Sequence, residues 1–423
     1  MIYRRRLVDG MLDEVFPHLA AISLEGAKGV GKTATGQERV KTVVDLSVAS
    51  QRVTVSGHVE QVARLAPPVL IDEWQLVPSV WDVVKREVDR DASGGRFLLA
   101  GSAGVAPGVR VHSGAGRIVS LPMRPLSLAE RGICESRVSL RELMTGTRPQ
   151  IFGESKVELP QYIEEILRSG FPGIRDLPDV AREAQLDSYI ARIVERELPE
   201  SGVGVRRPTT LLAWLRAYGA ATATDTAYTN ILDAATAGES DKPAASTVLA
   251  YRDHLTRIFV LDPIQPWLPV FSPLKRLTRS VKHHLVDPAI AARLATVDSD
   301  ALFRGEGARI GGGVDTWLGA LFESLAAQSV RVYAETARCR VGHLRTKDTK
   351  REIDLIVEGQ GMRVVAIEVK LSETISDHDV RHLNWLEHQI GDRVADKIVI
   401  NTGPYAYRRP DGVAVVPLAL LGP

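Results

Sequence analysis

The sequence predicts an α/β chain: an amino-terminal parallel sheet with flanking helices, a largely helical middle, and a second α/β unit at the carboxyl end. Three observations carry this. In the first 125 residues, strand-length runs of nearly continuous apolar character alternate with helical or loop stretches. Such runs suit strands buried on both faces of a parallel sheet. Apolar residues recur at helical spacing from Leu126 to Pro208 and again over 209–258, and after about Asp287 short β-type runs return. At roughly 150 residues per domain, 423 residues make two to three domains. Boundaries are expected at 1–125, 126–208, 209–285 and 286–423.

Each element has its own signal. AAISLEG (20–26), TVVDLS (42–47), PVLIDE (68–73), RFLLAGS (96–102) and RIVSLPM (117–123) are the five amino-terminal strands, each closing on a Gly, Ser, Asp or Pro punctuation mark. WDVVKREVDRDASGG reads as an amphipathic helix closed by Gly94-Gly95. In the middle, PQYIEEILRSGFPG, LDSYIARIVERELPE and ASTVLAYRDHLTRIFVLDPI read as helices, the last with Ser246 as N-cap. A helix followed at once by a short strand is also the pattern of a winged-helix module. GVDTWLGALFESLAAQ (313–328) is a helix, and VRVYAET, REIDLIVEG, MRVVAIEVK and KIVINTG are strands, with DHDVRHLNWLEHQIG as a helix before the last.

Composition narrows the class. Hydrophobic residues at 44% and charged residues at 25% exclude wholesale disorder, collagen and a coiled-coil rod. Lys+Arg number 53 against Asp+Glu 52, so only a local patch could attract nucleic acid or a membrane surface. Cys134 and Cys339 lie far apart without a CxxC, which excludes a disulfide scaffold and a cysteine zinc site. No apolar run approaches the roughly 20 residues that span a bilayer. Asp9, Asp13 and Glu14 interrupt any signal-like start. A cytoplasmic chain with no membrane partner is expected.

Residues 26–33, GAKGVGKT, fit G-x-x-x-x-G-K-[ST]. Glycines let the backbone wind so that successive N–H groups point at phosphates, and the helix that follows adds its N-terminal partial charge. Gly26, Ala27, Lys28, Gly29, Val30, Gly31, Lys32 and Thr33 would hold ATP, with Lys32 neutralising phosphate charge and Thr33 ligating Mg2+. VLIDE ends in Asp72 and Glu73, a Walker B pattern in which Asp72 holds Mg2+ and Glu73 polarises the attacking water. Ser102 is a sensor-type polar residue. Arg117 is either an arginine finger or half of a surface ion pair.

The run LIDEWQLVPSVWDVVKREVDRDASGGRFLLAGS resembles AAA+ ATPases, and within them a prokaryotic group in which a P-loop domain is fused to a carboxyl-terminal domain of unknown function. The opening RRRLVDGMLDEVFPHLAAISLEGAKGVGKT, GRIVSLPMRPLSLAE, RSGFPG (168–173) and REIDLIV…AIEVK share the resemblance. It implies ATP binding at Gly31, Lys32 and Thr33 with Asp72-Glu73 as Walker B. Lys28 stands where Arg is more usual, and Trp74 where an aliphatic residue is.

At the carboxyl end, Asp354 followed by Glu368 and Lys370 resembles the PD-(D/E)xK nuclease fold. Residues two apart on a strand face one side, so Glu368 and Lys370 project together. Asp354 and Glu368 would bind Mg2+, Lys370 would stabilise charge at a scissile phosphate, and Glu323 would be the helix acid. An ordinary salt bridge on an exposed strand is the competing account of Glu-x-Lys. The acid-free stretch 267–284 carries Lys275, Arg276, Arg279 and Lys282 near Trp267 and Phe271, a candidate DNA-backbone contact, and the His283-His284 pair reads as structural. The expected function is an AAA+-type ATPase using ATP and Mg2+, coupled to nucleic acid through its carboxyl half and able to form a homo-oligomer. A slow nucleotide-gated signalling protein and an ATP-licensed Mg2+-dependent DNA nuclease are the alternatives.

Overall fold

The computed structural model describes residues 3–102, 113–197, 208–238, 243–269, 274, 277–307, 310 and 316–423. All five amino-terminal apolar runs form strands: β1 (Ala21–Glu25), β2 (Thr42–Asp45), β3 (Val69–Asp72), β4 (Phe97–Gly101) and β5 (Ile118–Pro122). They make one sheet in the order β2-β3-β4-β1-β5, every pair parallel. Strand alternation sends successive residues to opposite cores. Leu70 and Leu98 pack into the large central core, while Ile71 and Leu99 meet Val80, Trp81 and Val84 of the Ser79–Arg90 helix on the other face. Parallel sheets present ligand sites at the carboxyl ends of their strands. Here those ends are Glu25, Asp72 and Gly101.

The chain then adds β6 (Val138–Ser139) and β7 (Gly153–Glu154) and turns helical at Leu159–Arg168 and Asp179–Arg192. Three further helices, Pro208–Ala220, Tyr228–Ala235 and Ala245–Arg257, lead into an antiparallel hairpin whose rungs pair Leu261 with Leu285 and Ile264 with Lys282. The third of these helices is capped at Ala244, so Ser246 lies inside it and is not the N-cap.

A seven-stranded sheet closes the molecule. Its strands are β7, β8 (Arg340–Arg345), β9 (Glu352–Glu358), β10 (Val364–Val369), β11 (Val394–Asn401), β12 (Tyr405–Arg408) and β13 (Ala414–Pro417), in the order β7-β12-β13-β11-β10-β9-β8. β8, β9 and β10 form an antiparallel meander, whereas β10, β11 and β13 run parallel. The last strand, β14 (Leu421–Gly422), pairs with β6.

The expected strand VRVYAET is instead the end of the Trp317–Thr336 helix. Val330 and Val332 give a local β signal, but the buried residues Ala326, Val330, Tyr333 and Ala334 continue the helical stripe begun at Leu318, and packing overrides propensity. The sheet starts later, with RVGHLR. The helix that follows the phosphate loop is short, Lys32–Gln37.

Candidate functional site

β1 ends against the loop 26–33, and geometry explains its glycines. A Cβ on Gly26 would stand 2.0 Å from the Met123 carbonyl oxygen. Gly29 and Gly31 hold φ of +85° and +102°, which glycine adopts freely. Gly31 is the N-cap of the Lys32–Gln37 helix. The buried Lys32 ammonium donates to the Gly26 and Ala27 carbonyls at 2.8 and 2.9 Å. Burial pushes its pKa down to about 8, against the pull of Glu73 and Asp72. Arg6 braces the loop from outside, donating to the Val30 carbonyl at 2.8 Å while pairing with Glu130 at 2.9 Å. Ala27 and Val30 are fully buried beneath.

β3 delivers the acids. Thr33 Oγ1 donates to Asp72 Oδ2 at 2.7 Å, and burial raises the pKa of Asp72 and of Glu73. Glu73 sits at φ +51°, a conformation costing a non-glycine residue about 1 kcal/mol. Gln75 holds it there: Nε2 donates to Glu73 Oε2 at 2.5 Å and lies 3.5 Å from Ser102 Oγ. Gln75 escaped the sequence reading. Its only signal is a polar side chain two residues past the acid pair.

Lys28 pairs with Glu197 across the mouth of a cavity of about 450 Å³, lined by Gly29, Ser102, Phe171, Tyr189 and Arg192 among others. A second hollow of about 300 Å³ lies on the other side of the loop, between Tyr3, Arg6, Gly31, Thr35 and Pro172. The RSGFPG segment therefore wraps the phosphate loop through Phe171 and Pro172. Asp287 anchors it, accepting from the Gly170 N–H at 2.7 Å and Ser169 Oγ at 3.1 Å.

Arg117 is not part of this assembly. β5 is in parallel register with β1 from Ala21↔Ile118 to Glu25↔Pro122, so Arg117 stands at the end of the sheet remote from the loop. It is 46% exposed and pairs with Asp89 at 2.8 Å. Within this chain Arg117 makes the surface pair, and the finger reading concerns the phosphate loop of a second copy.

In the second sheet, the β9–β10 register runs to Ile367↔Leu355, so the next pair sets Glu368 opposite Asp354. The Trp317–Thr336 helix adds Glu323. Lys282, from the hairpin, contacts Glu323 Oε1, Asp354 Oδ1 and Glu352 Oε1 at 2.8, 2.9 and 3.0 Å. Asp354 Oδ2 accepts from the Val369 N–H at 2.9 Å, and Lys370 lies 3.3 Å from Glu368. Lys282 and that N–H hold the Asp354 carboxyl well below its usual range despite burial. Burial and the Asp354 charge push Glu368 well up, and Glu323 up to about 8. Among the described residues, no group of three or more His, Cys, Asp or Glu is arranged to hold a metal ion.

The basic stretch is corrected in part. Lys282 is buried in this cluster and cannot meet a DNA phosphate; Trp267 is buried too, its indole N–H donating to Glu358 at 3.2 Å. Arg279 is exposed; Phe271, Lys275 and Arg276 lie outside the described residues. His283 and His284 are buried and bond the Thr226 carbonyl and Ser324. No described helix is long and apolar enough to cross a membrane.

Residues 19–132 match the family model described as an AAA domain. Residues 159–301 and 318–421 match two domains of unknown function, DUF8612 and DUF4143. Uncharacterized proteins of Mycobacterium bovis and Mycobacterium tuberculosis are each 25% identical over 424 residues, covering 99% of this chain and 84% of theirs. A chain from a structure of the Drosophila ORC bound to DNA is 14% identical at a TM-score of 0.22, covering 60% of this chain and 86% of that one. The amino-terminal region is an AAA-type P-loop domain, and that family is of the nucleotide-binding ATPase kind.

Proposed function

We propose that the chain hydrolyses ATP with Mg2+ at the phosphate loop. One observation carries this reading: Lys32, Thr33, Asp72, Glu73 and Ser102 converge at the carboxyl ends of β1, β3 and β4 around a loop that only glycine can form. The residues fit the nucleotide, since the positive φ of Gly29 and Gly31 lets the loop wind ahead of the helix N-terminus and Lys32 stands ready to offset phosphate charge. Thr33 and Asp72 would hold Mg2+, which when bound supplies charge neutralisation at the phosphates. Glu73 Oε1 accepts the proton of the attacking water, because Oε2 is engaged by Gln75. The Ser102 hydroxyl orients the water or the phosphate. The hollow by Tyr3 and Pro172 suits the base.

Glu73→Gln tests this. Nucleotide binding should persist while turnover falls by roughly 10²–10⁴-fold. Unchanged turnover would move the base elsewhere, and loss of binding in both Glu73→Gln and the parent would reject the site.

A second reading concerns the carboxyl half. The helix–meander–helix–strand order and the convergence of Asp354, Glu368 and Lys370 support a PD-(D/E)xK-like module with a cation site at the two carboxylates. Three helices followed by a hairpin support a winged-helix-like middle that engages DNA. Phosphate release measured with and without DNA tests that coupling.

A further inference from the structure

The phosphate loop carries a second cation that its winding does not require. G-x-x-x-x-G-K-[ST] leaves position 28 free, and here it is Lys28. Burial lowers the Lys32 pKa and the Lys28 charge lowers it further, against the pull of Glu73 and Asp72. Burial raises the pKa of Glu73, and Lys32 and then Lys28 oppose that rise. The Lys28 ammonium therefore acts on the same space as Lys32 and Glu73. Two ammonium groups turned toward one space repel each other until an anion lies between them.

Lys28 is met by Glu197, whose Oε1 lies 2.5 Å from its Nζ. Glu197 is the last residue of a π-turn, Ile193–Glu197, that continues the Asp179–Arg192 helix. Such turns are rare and frequently mark functional sites. Ile193 and Val194 fix the turn in the central core. Lys28, Glu197 and Ser102 line one cavity, while Gly31 and Thr35 line the base hollow on the other side of the loop. A nucleotide with its base in that hollow and its phosphates over Lys32 and Thr33 points its terminal phosphate toward Ser102. That is the side on which Glu197 meets Lys28.

We propose that Glu197 stands in for the terminal phosphate: Lys28 is the residue by which the site tells a nucleoside triphosphate from a diphosphate, and a triphosphate takes Lys28 from Glu197. This rests on the reading of loop 26–33 as the nucleotide site. The exchange favours the phosphate. Lys28 is 51% exposed, and an ion pair that open contributes little, whereas a phosphate brings more charge and several acceptor oxygens. A diphosphate ends short of the cavity and leaves the pair closed.

The experiment uses the full chain with Mg2+ and two probes, ADP and the non-hydrolysable β,γ-imido analogue of ATP, and reads both dissociation constants by calorimetry. Lys28→Met should weaken the analogue roughly tenfold, as loss of a charged hydrogen bond does, and leave ADP nearly unchanged. Glu197→Gln should act the other way, tightening the analogue about two- to fivefold, the range of an exposed ion pair, again with ADP nearly unchanged. Added to Lys28→Met, Glu197→Gln should do nothing, because no ammonium remains to be released. Equal effects on the two nucleotides, an analogue affinity that ignores Glu197→Gln, or a tightening that persists without Lys28 each overturn the exchange and leave the phosphate-loop reading standing. A parent chain that binds neither nucleotide rejects the loop reading, and the exchange with it. Both side chains reach solvent, so both variants should keep the parent melting temperature; should Lys28→Met not fold, the two affinities of Glu197→Gln decide.

Discussion

Burial of the Lys32 ammonium makes nucleotide affinity depend on pH. Only the charged form offsets phosphate, and in the free chain that charge is lost as pH rises through about 8. Affinity should therefore be at its full value below pH 8 and fall steadily above it, because bound phosphate raises the lysine pKa and binding then requires proton uptake. A fluorescent-nucleotide titration between pH 7 and 9.5 checks this, and a flat profile would mean the ammonium is not what the phosphates meet. Lys32, Thr33, Asp72 and Glu73 were legible because the chemistry needs fixed residue types at fixed spacing. Gln75 was not, since any polar residue reaching Glu73 would serve. Lys282 was misread for another reason: a lysine in an acid-free run looks solvated, and only the fold brings Glu323, Glu352 and Asp354 around it.

Local propensity and packing disagree at Gly36, in the Lys32–Gln37 helix. Glycine in a helix interior costs about 1 kcal/mol against alanine, so sequence alone recommends Gly36→Ala. The structure opposes it: a Cβ there would stand 2.8 and 3.0 Å from the two methyls of Leu70, in the middle of buried β3. Overpacking a filled core costs about 1–3 kcal/mol, so the net effect should be loss of stability, read as a lower melting temperature. A stabilised variant would show that Leu70 can move aside. The same contest explains which elements were legible. Five apolar runs ending in punctuation were enough for the first sheet, but VRVYAET carries strand-type residues on a helical stripe, and its partners lie far away in sequence.

The modules do not stand apart, and this is the feature that sequence reading reaches least well. β6 and β7, which follow the first sheet in the chain, pair with strands from the carboxyl end: β6 with β14 in a two-stranded sheet, and β7 with β12 at the edge of the seven-stranded one. One continuous apolar core runs from Leu24 and Leu70 to Leu355 and Val365. Such pairings rest on backbone hydrogen bonds between short segments that carry no composition signal of their own.

At the junction of the modules, Arg124, Arg331, Asp262 and Glu335 form a half-buried cluster of two cations and two anions. Arg124 contacts Asp262 and Glu335, and Arg331 contacts Asp262 at 2.7 Å. The arginines hold the Asp262 carboxyl down to about 2 despite burial, so its stabilising charge is present above pH 3.8 and lost as pH falls toward 2. Arg124→Ala leaves two acids facing one arginine. Removing one partner of a fully buried pair costs about 3–5 kcal/mol, because the other charge stays buried without it; in this half-buried cluster the loss should be smaller but still exceed that of an exposed pair. An exposed pair is worth roughly 0.2–1 kcal/mol. Urea unfolding should therefore show a larger loss for Arg124→Ala than for Arg117→Ala, whose partner Asp89 lies at the surface. Combining Arg124→Ala with Glu335→Gln restores the balance of charge and should recover part of the loss. If Arg124→Ala costs no more than Arg117→Ala, or if the added Glu335→Gln only worsens it, the junction is held by its apolar core and the ion cluster is incidental.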